Sequence, residues 1–486
     1  MAVNRLTKMT LLAENRHHDS LLKSLQRFQS VEIEDIFENQ ENQEWLEAYF
    51  PALEEVDQTK EQLYVQWLHQ IEKSIVFIRD NGSVKQKIKD LPRKSYTLNE
   101  LEARFNEEAL VSLLNQVAQL QKSWDENTKK LTYWQQAEDW ANQWLQYDVS
   151  PSEQLDSAEA VQAKVAAESW ETVETYLMEQ KDVYYELNYS SEKEIKFSFI
   201  ALNERAVTVQ AELITFGVSI EQNPYDESPA TLLPKAKKAL KECVETSKAL
   251  TSEIGYLKGQ VSILQLNEEV LLARLTRERA KEHLVLAKYL VVIRAWVNEE
   301  DQEQLMNQLQ AEHDQALFFS FESPTKEQIM ENKVPTKLRN NRFVSPFEIL
   351  TGMYSVPKYE EIDPTPWMAP FYLVFFGMMV ADLGYGFLTF IGTTLALKYL
   401  ILPRGTEKFV RLFQILSISI MIWGGIYGSL FGVSLPFQLL VPTEDFMTIF
   451  VLSLVFGGIQ IYTGLFLAAK EHIKKKDYLS AVSKGF

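Results

Sequence analysis

Residues Trp367–Leu402 read WMAPFYLVFFGMMVADLGYGFLTFIGTTLALKYLIL, and the way that run is parsed decides the fold. As one helix it would measure about 54 Å, well beyond the roughly 30 Å hydrocarbon core of a bilayer. At its middle, Ala381-Asp382-Leu383-Gly384-Tyr385-Gly386 sets a charge and two glycines where a tight turn needs them. The run is therefore predicted to be a helical hairpin, 366–383 and 385–402. Two further apolar spans follow, at about 409–432 and about 447–469.

Loop charges agree with the hairpin. Lys398, Arg404, Lys408 and Arg411 flank the connection from second to third span, and Lys470, Lys474, Lys475 and Lys476 follow the fourth. Glu444 and Asp445 lie between the third and fourth, with no Lys or Arg from Val433 to Phe446. The positive-inside rule places both basic segments in the cytoplasm and the acidic loop outside. Gly424, Gly428 and Gly432 recur at helix-packing spacing beside Gly425 and Ser429, and Gly457, Gly458 and Gly464 suggest the same in the fourth span. Asp382 is costly within a bilayer, so it is a functional candidate unless it caps a turn at the interface.

The chain upstream is polar. With 486 residues and a net charge of −18, the protein is too acidic for a nucleic-acid partner. Its one cysteine, Cys243, supports neither a disulfide framework nor a zinc site. Met1–Ser30 carries no apolar h-region, so a cytosolic arm is expected.

Within that arm, 97–147 reads as a long helix with Leu110, Val117, Trp124 and Leu131 in one seven-residue seam and Leu113, Leu120, Trp134 and Ala141 in the companion, interrupted by Asn127. Residues 230–283 repeat the pattern through Cys243, Leu250, Leu257, Leu264 and Leu271, with Ile254, Val261 and Leu275 alongside. Each helix would span roughly 75–80 Å. Tyr64, Trp67, Ile71 and Ile78 mark another helix over 52–80. Between the long helices, Ile195–Phe199, Val207–Val209 and Glu212–Phe216 read as strands of a small α+β lobe.

At the other end, Arg5–Glu14 reads as strand, 15–29 as helix and Val31–Ile36 as strand; 284–297, 299–312 and Leu317–Phe321 repeat the order. Two such halves suit one split, ferredoxin-like lobe. The predicted fold is an α+β cytoplasmic dumbbell, two small α+β lobes joined by a long antiparallel coiled coil, followed by an α-helical transmembrane bundle. Its parts are a proximal lobe (1–50 and 284–330), a coiled-coil hairpin (51–164 and 228–283), a distal lobe (165–227), a linker (331–365), the spans (366–470) and a basic segment (471–486).

No chemistry of an independent enzyme is visible. The sequence has no Walker loop, no dinucleotide fingerprint, no nucleophile elbow and no paired-cysteine or H-E-x-x-H metal motif. His17 and His18 are adjacent on a predicted helix and do not share a face. No cofactor is expected.

A resemblance rests on Val334-Pro335-Thr336-Lys337-Leu338-Arg339-Asn340, Ser345-Pro346-Phe347-Glu348, Tyr359–Pro366 and Phe375–Gly386. These resemble subunit I of the V/A-type rotary ATPases, the counterpart of eukaryotic V-ATPase subunit a. Ala381 stands where that family usually has glycine. Gly424–Gly432 and Gly457-Gly458-Ile459-Gln460 resemble later family spans.

The resemblance implies a non-catalytic stator. Its arm would bind coiled-coil peripheral stalks and the central-stalk socket subunit of the ATPase complex. Its spans would face a proteolipid rotor ring and form half-channels for H⁺ or Na⁺, in a bacterial plasma membrane. Candidate functional residues are Asp382, Gly384, Tyr385, Gly386, Glu444, Asp445 and Gln460. Gly424, Gly428, Gly432, Gly457 and Gly464 are the packing candidates. The family's essential arginines lie on later spans and nothing here matches them, so the sequence is expected to be C-terminally incomplete. Two other classes fit less well: a membrane-anchored coiled-coil tether without transport, and a secondary transporter with a large cytoplasmic domain.

Overall fold

The structure is a computed structural model that describes residues 4–37, 46, 48–50, 53, 56–82, 96–147, 149, 157–313, 317–331, 333–400 and 402–485. The first elements are β1 (Leu6–Glu14), α1 (His18–Phe28), β2 (Val31–Ile33), α2 (Thr59–Asn81) and α3 (Glu107–Gln143). Then come β3 (Ala158–Ala166), α4 (Trp170–Glu179), β4 (Val183–Ser190), β5 (Glu194–Leu202), α5 (Asn203–Thr215) and β6 (Ser219–Glu221). They are followed by α6 (Pro229–Tyr256), α7 (Val261–Ala280), β7 (Val285–Leu286), β8 (Leu290–Asn298), α8 (Gln302–Glu312) and β9 (Phe318–Glu322). The last are α9 (Thr365–Val380), α10 (Leu383–Tyr399), α11 (Arg404–Tyr427), β10 (Ser429–Leu430), β11 (Val433–Ser434) and α12 (Phe446–Lys474). The chain divides into two compact units: Met1–Leu68, Lys85–Arg104 and Glu269–Phe486 in one, His69–Val84 and Phe105–Glu268 in the other.

In the first unit, strand alternation builds the lobe. Met9, Leu11 and Ala13 of β1 share a face with Val291, Ile293, Ala295 and Val297 of β8, and all are buried against Leu21, Leu22 and Leu25 of α1 and Leu305 and Leu309 of α8. Each such leucine or isoleucine contributes about 2 kcal/mol by leaving water. The strand order is β2-β8-β1-β9, with β7 beside β8. All neighbours are antiparallel, β1 and β8 pairing from Leu6↔Asn298 to Glu14↔Leu290. Two βαβ halves far apart in sequence thus interleave in one sheet.

The second unit holds a sheet ordered β4-β5-β3-β6, also antiparallel. Here the expected strands at Val207–Val209 and Glu212–Phe216 are not strands. They fall on α5 and its C-terminal end, where Ala206, Val209 and Leu213 recur every three to four residues and are fully buried. β-branched residues on a helix face mimic a strand when only five are read at a time. The lobe also begins earlier than 165, because Ala158–Ala166 is strand β3.

The predicted long helices are interrupted. Asn106 caps α3 by accepting from the Ala109 amide, 3.0 Å, so 97–147 divides into a short helix Leu98–Arg104 and α3. A 3₁₀ turn, Leu257–Gln260, separates α6 from α7. α3 and α6 pack antiparallel: Ala137 and Ala141 meet Leu232 and Ala236, and Asn127 donates to the Cys243 carbonyl (3.1 Å) and to Ser247 (2.7 Å). Cys243 is buried. The helix expected from 52 begins at Thr59; residues 52, 54 and 55 lie outside the described ones.

The apolar run breaks at its middle, α9 ending at Val380 and α10 starting at Leu383. Both pack on α11. Ala369 and Phe376 meet Leu412, Leu416 and Phe413, and Gly377 lies against Ser419 and Trp423, so α9 runs parallel to α11. Gly386 lies against Ile420 and Met421, and Gln414 donates to Thr394 (2.9 Å), so α10 runs antiparallel. Among the described residues, two helices, Gly405–Tyr427 and Phe446–Lys474, are long and apolar enough to cross a membrane. α9 and α10, at 16 and 17 residues, fall short of the roughly 20 that crossing takes, so only two of the four expected spans have full length.

Candidate functional site

The junction of α9 and α10 is a knot built on Asp382. Ala381 turns the chain with a left-handed backbone (φ 33°), which frees Asp382 to cap α10. One carboxylate oxygen accepts from the amides of Gly384 (2.9 Å), Tyr385 (3.0 Å) and Phe431 (3.0 Å). The other accepts from the Ser429 hydroxyl (2.7 Å) and the Gly432 amide (2.9 Å). The side chain is buried, and all five donors are neutral. Such a carboxylate is held by oriented dipoles, as in a backbone nest.

The partner loop depends on two glycines. Gly428 (φ 61°) ends α11 and Gly432 (φ 77°) turns the two-residue β10–β11 hairpin, which aims the amides of Phe431 and Gly432 at Asp382. This corrects the reading of the third span as a helix to 432: α11 stops at Tyr427, and Gly428 and Gly432 serve a turn instead of a helix face. Gly424 does lie at a close approach, since a Cβ there would strike the backbone of Asp382 and Leu383. A Cβ at Gly384 would meet the Phe431 ring at 2.7 Å.

The remaining candidates do not converge. Tyr385 is largely exposed and stacks edge-on against Phe431 (5.4 Å). Asp445 precedes α12 and accepts from the Val441 amide (2.9 Å); Glu444 beside it is exposed. Gln460 is exposed on α12, and nothing lies within 4 Å of a Cβ at Gly457 or Gly464.

A second polar cluster fastens the apolar helices to the lobe. Asn340 donates to Asp363 (2.7 Å) and Glu348 (3.1 Å), and Glu348 pairs with Lys408 (2.7 Å). Buried Asp363 accepts from the Thr365 amide (2.9 Å), which sets the first turn of α9. The Tyr359 hydroxyl accepts from the Leu6 amide (2.9 Å), and Val334 packs on Leu6 and Trp296. At the end of α12, Glu471 accepts from the Ile362 amide (3.2 Å) and pairs with Lys475 (3.1 Å), whose ammonium it pushes above the usual lysine range. Motif residues within 334–366 thus form a polar joint between the lobe and the apolar helices. Sequence reasoning missed Ser429, Phe431 and Lys408 as parts of these clusters; the glycine bracket Gly428-Ser429-Leu430-Phe431-Gly432 was the available signal for the first two.

Fold and site define a class: an apolar helical bundle fastened through a polar joint to a split α/β lobe. Residues 281–421, which contain that joint, match the model of the V-type ATPase 116kDa subunit family. The chain is 30% identical over 298 residues to A-type ATP synthase subunit I of Pyrococcus horikoshii, covering 58% of this chain and 44% of that one. It is 41% identical over 114 residues to A-type ATP synthase subunit I of Archaeoglobus fulgidus (24% and 16%). It is 33% identical over 109 residues to V-type ATP synthase subunit I of Chlamydia trachomatis (21% and 17%).

The matches cover less than half the length of these curated relatives. The crystal structure of the cytoplasmic N-terminal domain of subunit I, homolog of subunit a, of V-ATPase overlaps 65% of this chain and 99% of that one at 14% identity, with a TM-score of 0.35. The resemblance read from the sequence therefore holds: the chain is similar to subunit I of the V/A-type ATP synthases.

Proposed function

We propose that this chain is a non-catalytic stator and membrane subunit of a V/A-type rotary ATPase. The observation that carries the reading is the match at 281–421, which runs without a break from the α/β lobe across the joint into the apolar helices. In this reading the arm, with α3 and α6 as a coiled-coil rod, anchors the peripheral stalks and meets the central-stalk socket subunit. The apolar helices sit in a bacterial plasma membrane with the arm in the cytoplasm. They contribute to half-channels for H⁺ or Na⁺ against the proteolipid ring. Asp382, Gly384, Tyr385 and Gly386 hold the bundle's shape, Glu444 and Asp445 mark its outer end, and Gln460, with Gly457 and Gly464, belongs to a face of α12 that meets further subunits or helices.

A tether without transport is the second reading, favoured by one observation: the carboxylate between α9 and α10 is wholly engaged by structural donors. The two are separated by purifying the protein from its native membrane in mild detergent. ATPase head, stalk and ring subunits are expected to accompany it. Isolation alone, in a detergent that keeps rotary ATPases intact, would sink the stator reading.

A further inference from the structure

We infer that the Asp382 knot and the apolar connection from 428 to 441 lie beneath the lipid headgroups of the leaflet opposite the α/β lobe, packed among its acyl chains. This rests on the reading that α9–α12 sit in a bilayer. Helix lengths set the depth. The uncharged stretch of α12, Phe446–Ala469, rises about 36 Å and exceeds the roughly 30 Å hydrocarbon core. α9 rises only about 24 Å, and so does the uncharged part of α11 from Leu412 to Tyr427. The lobe-side ends of α9 and α12 are tied near one level, because Ile362 donates to Glu471 and Lys474 donates to the Glu360 carbonyl. The Asp382 turn therefore stops about 6 Å short of the far edge of the hydrocarbon core and about 12 Å short of the level at which Glu444 and Asp445 begin α12.

The chemistry of the connection fits that depth. Between Arg411 and Glu444 the sequence has no Asp, Glu, Lys or Arg. Val433, Phe437 and Leu439 expose 66%, 62% and 79% of their surface, which an aqueous turn would not do with three neighbouring apolar side chains. Backbone groups in lipid must bond within the protein. Most of the connection's amides do so: those of Phe431 and Gly432 go to Asp382, Leu435 to the Gly428 carbonyl (2.7 Å), Leu439 and Leu440 to the Ile426 carbonyl (2.9 and 3.2 Å), and Val441 to Asp445, while those of Phe437 and Gln438 are left over. Pro436 and Pro442 have no amide hydrogen. The five donors on Asp382 take the place of the water it lacks at that depth.

The test is site-directed nitroxide labelling of the full chain, carrying Cys243→Ala, in phosphatidylcholine–phosphatidylglycerol vesicles. Labels are placed through Val433→Cys, Phe437→Cys and Leu439→Cys, with Leu454→Cys on α12 and Glu444→Cys as references. Collision with oxygen is compared with collision with a water-soluble nickel chelate. The oxygen-to-nickel ratio at the three sites is expected to match that at residue 454 and to exceed that at residue 444 severalfold. A ratio like that at 444 places the connection in water and overturns the inference. Protection from both reagents means a protein covers it, which overturns it as well. A nickel-accessible residue 454 instead removes the bilayer reading on which the inference rests.

Discussion

Asp382 shows how one residue carries opposite meanings in sequence and in structure. An acidic residue inside an apolar run asks for a function, whereas five neutral donors around it provide a structural reason for its presence. Asp382→Ala leaves those donors without an acceptor, and at about 1–3 kcal/mol for each unsatisfied group the bundle should lose several kcal/mol. A thermal midpoint in detergent unchanged from wild type would remove the knot as a stabilising feature. Asp382→Asn, which keeps one acceptor oxygen, should fall between. Two glycines that look alike in sequence should also separate: Gly432→Ala meets a left-handed backbone and costs about 1 kcal/mol, while Gly457→Ala, in mid-helix with room for a Cβ, should stabilise by about 0.5–1 kcal/mol.

Among the elements, the α3–α6 pair is specified by small and polar seam residues as much as by leucines. Ala137 and Ala141 let the helices approach, and Asn127 fixes their alignment through Cys243 and Ser247. Ala137→Leu should overpack that contact by about 1–3 kcal/mol, whereas Lys129→Leu on the exposed face should not. Hydrogen exchange across 107–143 reads the difference directly; equal protection in both variants would mean that the seam is not closely packed there. Leu110, Leu250, Leu257, Leu264 and Leu271 were legible because a buried stripe repeats locally, whereas the companion seam of the first helix was partly misplaced: Leu114 is buried and the expected Leu113 and Leu120 are only half-buried. The break at Asn106 and the 3₁₀ turn at Leu257–Gln260 were not, since neither interrupts the apolar period.

At the scale of the molecule, both compact units store stability in carboxylates. Burial works against the charge of Glu102, but hydrogen bonds from Arg277 and from Arg274 (2.9 Å) outweigh it and hold its pKa below the usual carboxylate range. Glu221 is depressed in the same way: burial opposes its charge, and Lys164 and Lys196 overcome it. A carboxylate whose pKa is lower folded than unfolded stabilises fully above the unfolded value of about 4.3, and that stabilisation is lost as pH falls through the folded value. Both units should therefore weaken below about pH 4, and Glu102→Gln should flatten the acid dependence of the first unit alone, as followed by unit-resolved hydrogen exchange. An unchanged profile would rule out the Arg274–Glu102–Arg277 cluster as its source.

The sequence by itself determined the apolar tail, the break at Asp382 and the two βαβ halves of the first lobe, because burial on one face leaves a local period and a charge between apolar helices marks a turn. Only the tertiary structure decided the strand orders β2-β8-β1-β9 and β4-β5-β3-β6, that Val207–Phe216 is mainly helical, and that Gly428 and Gly432 turn a loop onto Asp382. Those outcomes depend on partners distant in the chain: β1 pairs with a strand some 290 residues away, and Asp382 meets donors at 429–432. No local pattern records which distant surface will supply the missing hydrogen bonds.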